Sequence, residues 1–334
     1  MPRKAVNSNG ADVVKAADKA TERLAEVKAS IGQVIYGLDE VVELSLAAIL
    51  SGGHALLVGA PGLAKTRLVE TIAVATGLDT KRIQFTPDLM PADILGSEVL
   101  EESEGGKRSF RFIPGPVFCR LLMADEINRA SPRTQAALLQ AMQEHHVTVA
   151  GERHDLPQPF HVLATQNPIE QEGTYPLPEA QLDRFLLRVD VPYPSRDAER
   201  DILMATTGPS DAKATKVLSA KEILEMQALV RRLPVGEKVV DAILDLLRLA
   251  RPDVSDEKDV QMGVSWGPGP RAGQALMLAC RARALLQGRL APSTEDVAAL
   301  AEPVLKHRMA LSFAARAEGM TLESLIGRLA AKAA

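Results

Sequence analysis

The sequence predicts an α/β fold, a five-stranded parallel sheet with helices on both faces, followed by an all-helical domain. Three observations predict it. Between about residues 32 and 200, short apolar runs alternate with helical patterns, as expected of a parallel sheet joined by crossover helices. Beyond Pro194 the strand-like runs stop and only helical patterns remain. A turn rich in glycine and proline, Gly59-Ala-Pro-Gly62, lies between the first apolar run and the helix after it.

Taken in order, residues 1–10 read as a polar tail. From Ala11 to Ile31 the apolar positions Val13, Ala17, Ala20, Leu24, Val27 and Ile31 recur at helical spacing. The charges between them are of both signs, so this amphipathic helix is expected to pack on the core rather than lie on a membrane. Residues 1–31 therefore precede a core that spans 32–205. Its strand-like runs are Ala55–Val58, Ile83–Phe85, Leu121–Ala124, Val162–Ala164 and Leu186–Val191, each too short for a buried helix. Helical stretches include Thr66–Thr76 and Pro132–His145, the latter with Ser131 as N-cap and Pro132 at the first helical position. Within about 87–116, Ser97–Leu100 and Ser109–Ile113 flank Glu101–Arg108, whose Gly105-Gly106 predicts a hairpin turn.

The helical domain covers 206–334. Ser219-Ala-Lys-Glu222 and Ser293-Thr-Glu-Asp296 read as capping boxes that open helices. Val239, Ile243, Leu246, Leu247 and Ala250 form an apolar stripe between them. Arg251–Arg271, with its prolines and glycines, reads as a loop.

Composition narrows the function. With 334 residues and 46% apolar content, about two ordinary cores can be buried. A net charge of −4 argues against unassisted binding of nucleic acid, which needs a basic footprint. Cys119 and Cys280 are too few for a disulfide framework or a four-thiolate zinc site, and are expected to be buried small residues. No apolar run approaches the ~20 residues needed to cross a bilayer, and no signal core opens the chain, so a cytoplasmic location without membrane insertion is expected.

The chemistry concentrates in three segments. Gly59-Ala-Pro-Gly-Leu-Ala-Lys65-Thr66, between strand and helix, is a P-loop, whose backbone N–H groups cradle phosphates at a helix N-terminus. Residues Gly59, Ala60, Pro61, Gly62, Leu63, Ala64, Lys65, Thr66 and Arg67 are the expected nucleotide contacts. Lys65 would reach the β- and γ-phosphates of ATP and Thr66 would ligate Mg²⁺. Ala64 departs from the strict pattern, which has glycine there. Leu121-Leu-Met-Ala-Asp125-Glu126 is a buried strand ending in two carboxylates, a costly arrangement unless a cation or substrate meets them. Asp125 would hold magnesium and Glu126 would polarise the attacking water. Val162–Pro168 is a third strand with a polar end, where Asn167 either contacts the γ-phosphate or starts an Asn-Pro turn.

These segments resemble the MoxR family of AAA+ ATPases. The resemblance rests on Gly62-Leu-Ala-Lys-Thr66, Ala124-Asp-Glu-Ile-Asn-Arg-Ala130, the segment from Ala164-Thr-Gln-Asn-Pro to Leu-Pro-Glu-Ala180, and Leu182-Asp-Arg-Phe185. It covers roughly 30–330, and alanine at position 64 is usual in that family. It implies that Asn167 is sensor 1, that Arg184 is an arginine finger acting on a neighbour's ATP, and that Arg271 is sensor 2 in the helical lid. By residue type alone, Arg184 reads as a helix-end arginine capping carbonyls or pairing with Asp183, and Arg271 as a surface arginine. Tyr36-Gly37 falls where relatives line the adenine pocket. Arg129 and Arg133 read either as contacts to a neighbouring nucleotide or as interface salt bridges.

The resemblance further implies nucleotide in a cleft between core and lid, a homo-oligomeric (hexameric) ring, and remodelling of a client protein complex. The client role extends to maturation or metal insertion, with a separate partner carrying a von Willebrand factor A domain. A magnesium-chelatase-like motor subunit and a nucleic-acid motor are the alternatives. His145, His146, His154 and His161 lack metal-ligand spacing and read as solvated or hydrogen-bonded.

Overall fold

The computed structural model describes residues 5–102, 108–169, 173–208 and 212–334, with side chains from residue 11 onward. The turn expected at Gly105-Gly106 lies outside the described residues. Helix α1 (Ala5–Gly32) leads to α2 (Asp39–Leu50), then β1 (Ala55–Val58), α3 (Lys65–Thr76) and β2 (Thr80–Gln84). A short α4 (Pro91–Leu95) opens the hairpin β3 (Gly96–Glu102) and β4 (Arg108–Pro114), followed by β5 (Leu121–Asp125) and α5 (Pro132–Glu144). A second hairpin, β6 (His146–Val149) and β7 (Glu152–Asp155), precedes β8 (His161–Gln166), α6 (Glu179–Leu182), β9 (Leu187–Asp190) and α7 (Arg196–Thr206).

The remainder is helical: α8 (Ala220–Arg232), α9 (Glu237–Leu249), α10 (Lys258–Gly263), α11 (Pro270–Leu286), α12 (Thr294–Leu305), α13 (Phe313–Ala317) and α14 (Leu322–Ala333). Here the structure corrects two expectations. The segment Arg251–Arg271 is not all loop, since it holds α10 and β10 (Val264–Trp266). The region is also not purely helical, because β10 pairs antiparallel with β11 (Ala310–Leu311). Strands of two or three residues carry no readable periodicity.

The five-stranded sheet has the order β2-β5-β8-β1-β9 and every pairing in it is parallel. Alternation decides its two faces. Leu56, Val58, Leu122, Ala124, Val162 and Ala164 point into one core with α5 and Val147 of β6. Their neighbours Ala55, Leu57, Leu121, Met123, Leu163 and Leu187 point into the other. That second core runs without a break through α1, α2 and α3 into α8, α9, α11, α12 and α14. Each fully buried leucine in it contributes about 1.5–3 kcal/mol.

Helix α1 packs on the core as its spacing predicted, and also contacts the helical region. Ala17, Ala20, Leu24, Val27 and Ile31 are buried, while Ser30 donates to the carbonyl of Thr215 at 3.0 Å and Lys28 to that of Leu286 at 3.0 Å. Ser131 caps α5 by accepting from the N–H of Thr134, and Ser219 forms its capping box with Glu222. Cys119 and Cys280 are buried free thiols, and burial pushes them up to about 11 and about 12. No described helix is long and apolar enough to cross a membrane.

Candidate functional site

The P-loop leaves the C-terminal end of β1, which lies between β8 and β9 in the sheet. Gly59 passes so close to β9 that a Cβ would sit 2.8 Å from the carbonyl oxygen of Val191. Gly62 turns the loop at φ +81°, a conformation open to glycine at no cost. Ala64 sits at φ 53° immediately before α3, the left-handed conformation that glycine takes in the strict pattern. Lys65 donates to the carbonyls of Gly59 and Ala60 at 2.6 and 2.7 Å. Burial lowers the Lys65 ammonium, against the opposing pull of Asp125 and Glu126.

Asp125 and Glu126 come from β5, one strand beyond β8. Pro61–Arg67, Asp125, Glu126, Thr165 and Asn167 line a single cavity of about 420 Å³. Thr165 ties the parts together: its hydroxyl donates to Asp125 Oδ1 at 2.5 Å and accepts from the Glu126 N–H at 2.9 Å. Glu126 itself has φ 54°, so the carboxylate is presented by a strained backbone. Asn167 is 4% exposed, its Oδ1 accepts from the N–H of Ile169, and its Nδ2 is buried without a protein partner. An orphaned amide donor lining this cavity suits a phosphate oxygen or a reacting water.

Sequence reasoning missed three residues here. Arg82 donates to Asp125 Oδ2 from Nε and Nη2, at 3.2 and 2.6 Å, and Gln84 donates to Glu126 Oε2 at 2.8 Å. Both lie on β2 at alternate, polar positions around Ile83, and the apolar run had drawn attention to Ile83 alone. Thr165 is the third. Arg129 donates to Glu126 Oε2 at 3.0 Å within its own chain, and Arg133 makes no contact in the cavity.

Tyr36 lines a smaller cavity of about 140 Å³ beside Gly62–Ala64, with Val34, Ile35 and Ile202. Gly37 instead abuts Ala198 of α7, where a Cβ would sit 2.4 Å from its Cβ. Both cavities are lined wholly by residues up to Thr206. Core and lid together line another cavity of about 430 Å³, where Gly37, Leu38, Arg188 and Asp190 face Lys306 and Ile326.

Arg184 and Arg271 are brought together, but not here. They line a separate cavity of about 270 Å³ with His54, Asp183 and Arg308. His54 directly precedes β1 and Gly59 directly follows it, so the two cavities lie at opposite ends of that strand, about 17 Å of chain apart. Arg271 and Lys65 thus line different cavities of one chain. Arg184 donates to the Leu139 carbonyl at 2.7 Å while its Nε is buried and unpartnered. Asp183 pairs with Arg308 at 2.7 Å and with Arg271 at 3.6 Å.

Of the four histidines, His154 stacks on Phe112 with centroids 3.8 Å apart, and His161 is buried with Nδ1 against the Gly53 carbonyl. No metal-holding group of three or more His, Cys, Asp or Glu occurs among the described residues. The hydroxyl of Thr66 and the carboxylate of Asp125 are a hard oxygen pair. They fit a magnesium ion held largely by phosphate and water rather than by a protein cage.

A P-loop after β1, an acidic pair ending β5 two places away and the polar-tipped central strand β8 between them define a P-loop ATPase. The comparisons give the same class. Residues 54–187 match the ATPase family associated with various cellular activities (AAA), and 256–328 match the AAA lid domain. Chaperone MoxR1 of Mycobacterium tuberculosis is 42% identical over 302 residues, covering 90% of this chain and 78% of that protein. Protein MoxR of Paracoccus denitrificans is 31% identical over 307 residues, covering 87% and 89%. A crystal structure from Cytophaga hutchinsonii, of a protein assigned as an ATPase, has a TM-score of 0.87 at 33% identity, covering 97% of this chain and 98% of that one. The chain belongs to the MoxR family of AAA+ ATPases and is an ATP hydrolase.

Proposed function

We propose that this ATPase works as a homo-oligomeric ring, most simply a hexamer, which uses magnesium-dependent ATP hydrolysis to remodel a client protein complex. The observation that carries the ring is the separation of Arg184 and Arg271 from Lys65 and Glu126 at opposite ends of β1. In one chain these arginines are remote from the phosphates. In a head-to-tail ring each pair reaches a neighbour's nucleotide, so Arg271 acts in trans together with Arg184.

In this reading Lys65 and the loop N–H groups hold the phosphates, and Asn167 orients the water. Glu126 accepts the proton of that water, while the neighbour's Arg184 neutralises charge developing on the γ-phosphoryl. Thr66 and Asp125 would hold magnesium, which neutralises charge on the β- and γ-oxygens when bound. The chaperone name of the relative from M. tuberculosis supports a remodelling role. A partner with a von Willebrand factor A domain, a part in metal insertion and a cytoplasmic location belong to this same proposal.

The test is ATP hydrolysis per subunit across a wide range of protein concentration, beside Arg184→Ala. The ring reading expects specific activity to rise with concentration, and Arg184→Ala to bind ATP while losing turnover by about 10³-fold or more. Activity flat with concentration and indifferent to Arg184 would overturn it.

A further inference from the structure

Arg308 is 2% exposed, and a buried guanidinium is costly unless every donor is matched. All five of its N–H donors are. Nε donates to Asp183 Oδ1 at 2.7 Å. Nη2 donates to the carbonyls of Asp183 and Phe185 at 3.2 and 2.6 Å, and Nη1 to those of Leu186 and Val304 at 3.1 and 2.7 Å. Four of the five bonds therefore go to residues 183, 185 and 186, which bracket Arg184 on both sides. His307 adds a contact to the Phe185 carbonyl at 3.0 Å.

Arg308 follows α12, far along the chain from the segment it grips. Its carboxylate partner Asp183 also pairs with Arg271 at the start of α11. One aspartate thus joins a lid arginine that is fully consumed by structure to a second arginine that lines the cavity of Arg184. The backbone under Arg184 is fixed while its side chain makes one carbonyl contact and keeps an unpartnered Nε.

We infer that Arg308 and Asp183 are positioning residues which lock Arg184 and Arg271 into one rigid unit, so that both arginines reach a neighbour's phosphates together. This rests on the ring reading above. It places the coupling between lid and finger at the Asp183–Arg308 pair: any displacement of α11 and α12 carries Arg184 with it. Neither residue touches nucleotide in its own chain, and the loss from removing them is a loss in trans.

The test uses the full chain carrying Arg308→Met, with Asp183→Asn as the second variant should the first fail to fold. Each is expected to lower kcat by about 10–100-fold, the cost of misplacing a transition-state group by about 1 Å, with KM for ATP changed less than about twofold. Arg308→Lys, which keeps the charge but not the fork, is expected to recover part of the rate.

The decisive readout is mixing. Glu126→Gln supplies an intact finger but no turnover of its own, so an equal mixture with Arg308→Met is expected to hydrolyse faster than the two proteins assayed apart. Arg184→Ala mixed with Glu126→Gln is the control. If the control complements and the Arg308→Met mixture does not, the lesion is one of the whole fold and the inference is overturned. If Arg308→Met keeps full kcat, it is likewise overturned. If the control itself fails to complement, the ring reading falls and the inference falls with it.

Discussion

The side-chain amide of Gln84, on edge strand β2, donates to Oε2 of Glu126 at 2.8 Å, and Arg129 donates to the same oxygen at 3.0 Å. Two donors on one carboxylate oxygen hold it in place. Glu126→Gln removes the base and is expected to lower kcat at least about 100-fold with ATP binding retained. Gln84→Ala frees the carboxylate and is expected to raise the basal rate a few-fold with KM for ATP unchanged. Steady-state hydrolysis by the two purified variants checks both, and a loss of rate in Gln84→Ala would show that the hydrogen bond aims Glu126 rather than restrains it.

Ala64 holds a left-handed backbone at φ 53° just before Lys65. That conformation costs an L-residue about 1–2 kcal/mol, while glycine loses about 0.5–1 kcal/mol in unfolded-chain entropy. The balance favours glycine, so Ala64→Gly is expected to stabilise the protein by up to about 1 kcal/mol. Hydrolysis should be preserved. Urea denaturation gives the first number and the ATPase assay the second; a destabilised variant would mean that the alanine methyl makes a packing contribution larger than the strain.

Much of this was legible in the sequence. All five sheet strands fall on the apolar runs or within three residues of them, and the inner strands β1, β5 and β8 are the plainest because burial on two faces requires apolar residues at consecutive positions. Lys65, Thr66, Asp125, Glu126 and Asn167 share one cavity because their motifs end adjacent parallel strands on the same edge. What escaped is polar or short. The β6–β7 hairpin is built from His146–Val149 and Glu152–Asp155; its alternation is limited to Val147 and Val149, and β7 has no apolar residue at all. Arg82 and Gln84 are ordinary exposed residues of an edge strand until β5 is set beside them. Nothing in the sequence singles out His307-Arg308, and only tertiary burial shows that the pair is structural.

Buried histidines give the fold a pH dependence. Burial lowers His54 to about 3, with the nearby His161 adding to the effect, and burial lowers His161 to about 4. His307 is pushed well below its usual value by burial and by Arg308. All three are neutral in the folded protein and take up protons in the unfolded chain below about pH 6.5. The unfolded state thus binds more protons, and stability falls as pH drops through 6.5 toward 4. Each histidine contributes a slope of about 1.4 kcal/mol per pH unit well inside that window. Guanidinium denaturation at a series of pH values measures the slope, and His161→Gln is expected to reduce it by the share of one proton. An unchanged slope in that variant would mean His161 is already charged in the folded state.

Asp296 is fully buried at the first turn of α12, where its carboxylate serves two purposes at once. Oδ2 accepts from the Ser293 N–H at 2.8 Å, the returning arm of the capping box, and from Arg289 Nη1 at 2.7 Å. Oδ1 accepts from Arg289 Nη2 at 2.6 Å and from Arg283 Nη1, the latter on α11. Two guanidiniums, each about a third exposed or less, converge on one buried carboxylate that ties α11 to α12. Removing the carboxylate leaves both cations facing each other and an uncapped helix, so Asp296→Ala is expected to cost about 3–5 kcal/mol. Asp296→Asn keeps two acceptor lone pairs and the cap, and is expected to cost less than half as much. Because α11 carries Arg271 and α12 leads into Arg308, the alanine variant should also lose ATP turnover at temperatures where circular dichroism still reports a folded chain. Wild-type stability in Asp296→Ala would show that the two arginines find other partners and that the α11–α12 packing stands without the ion cluster.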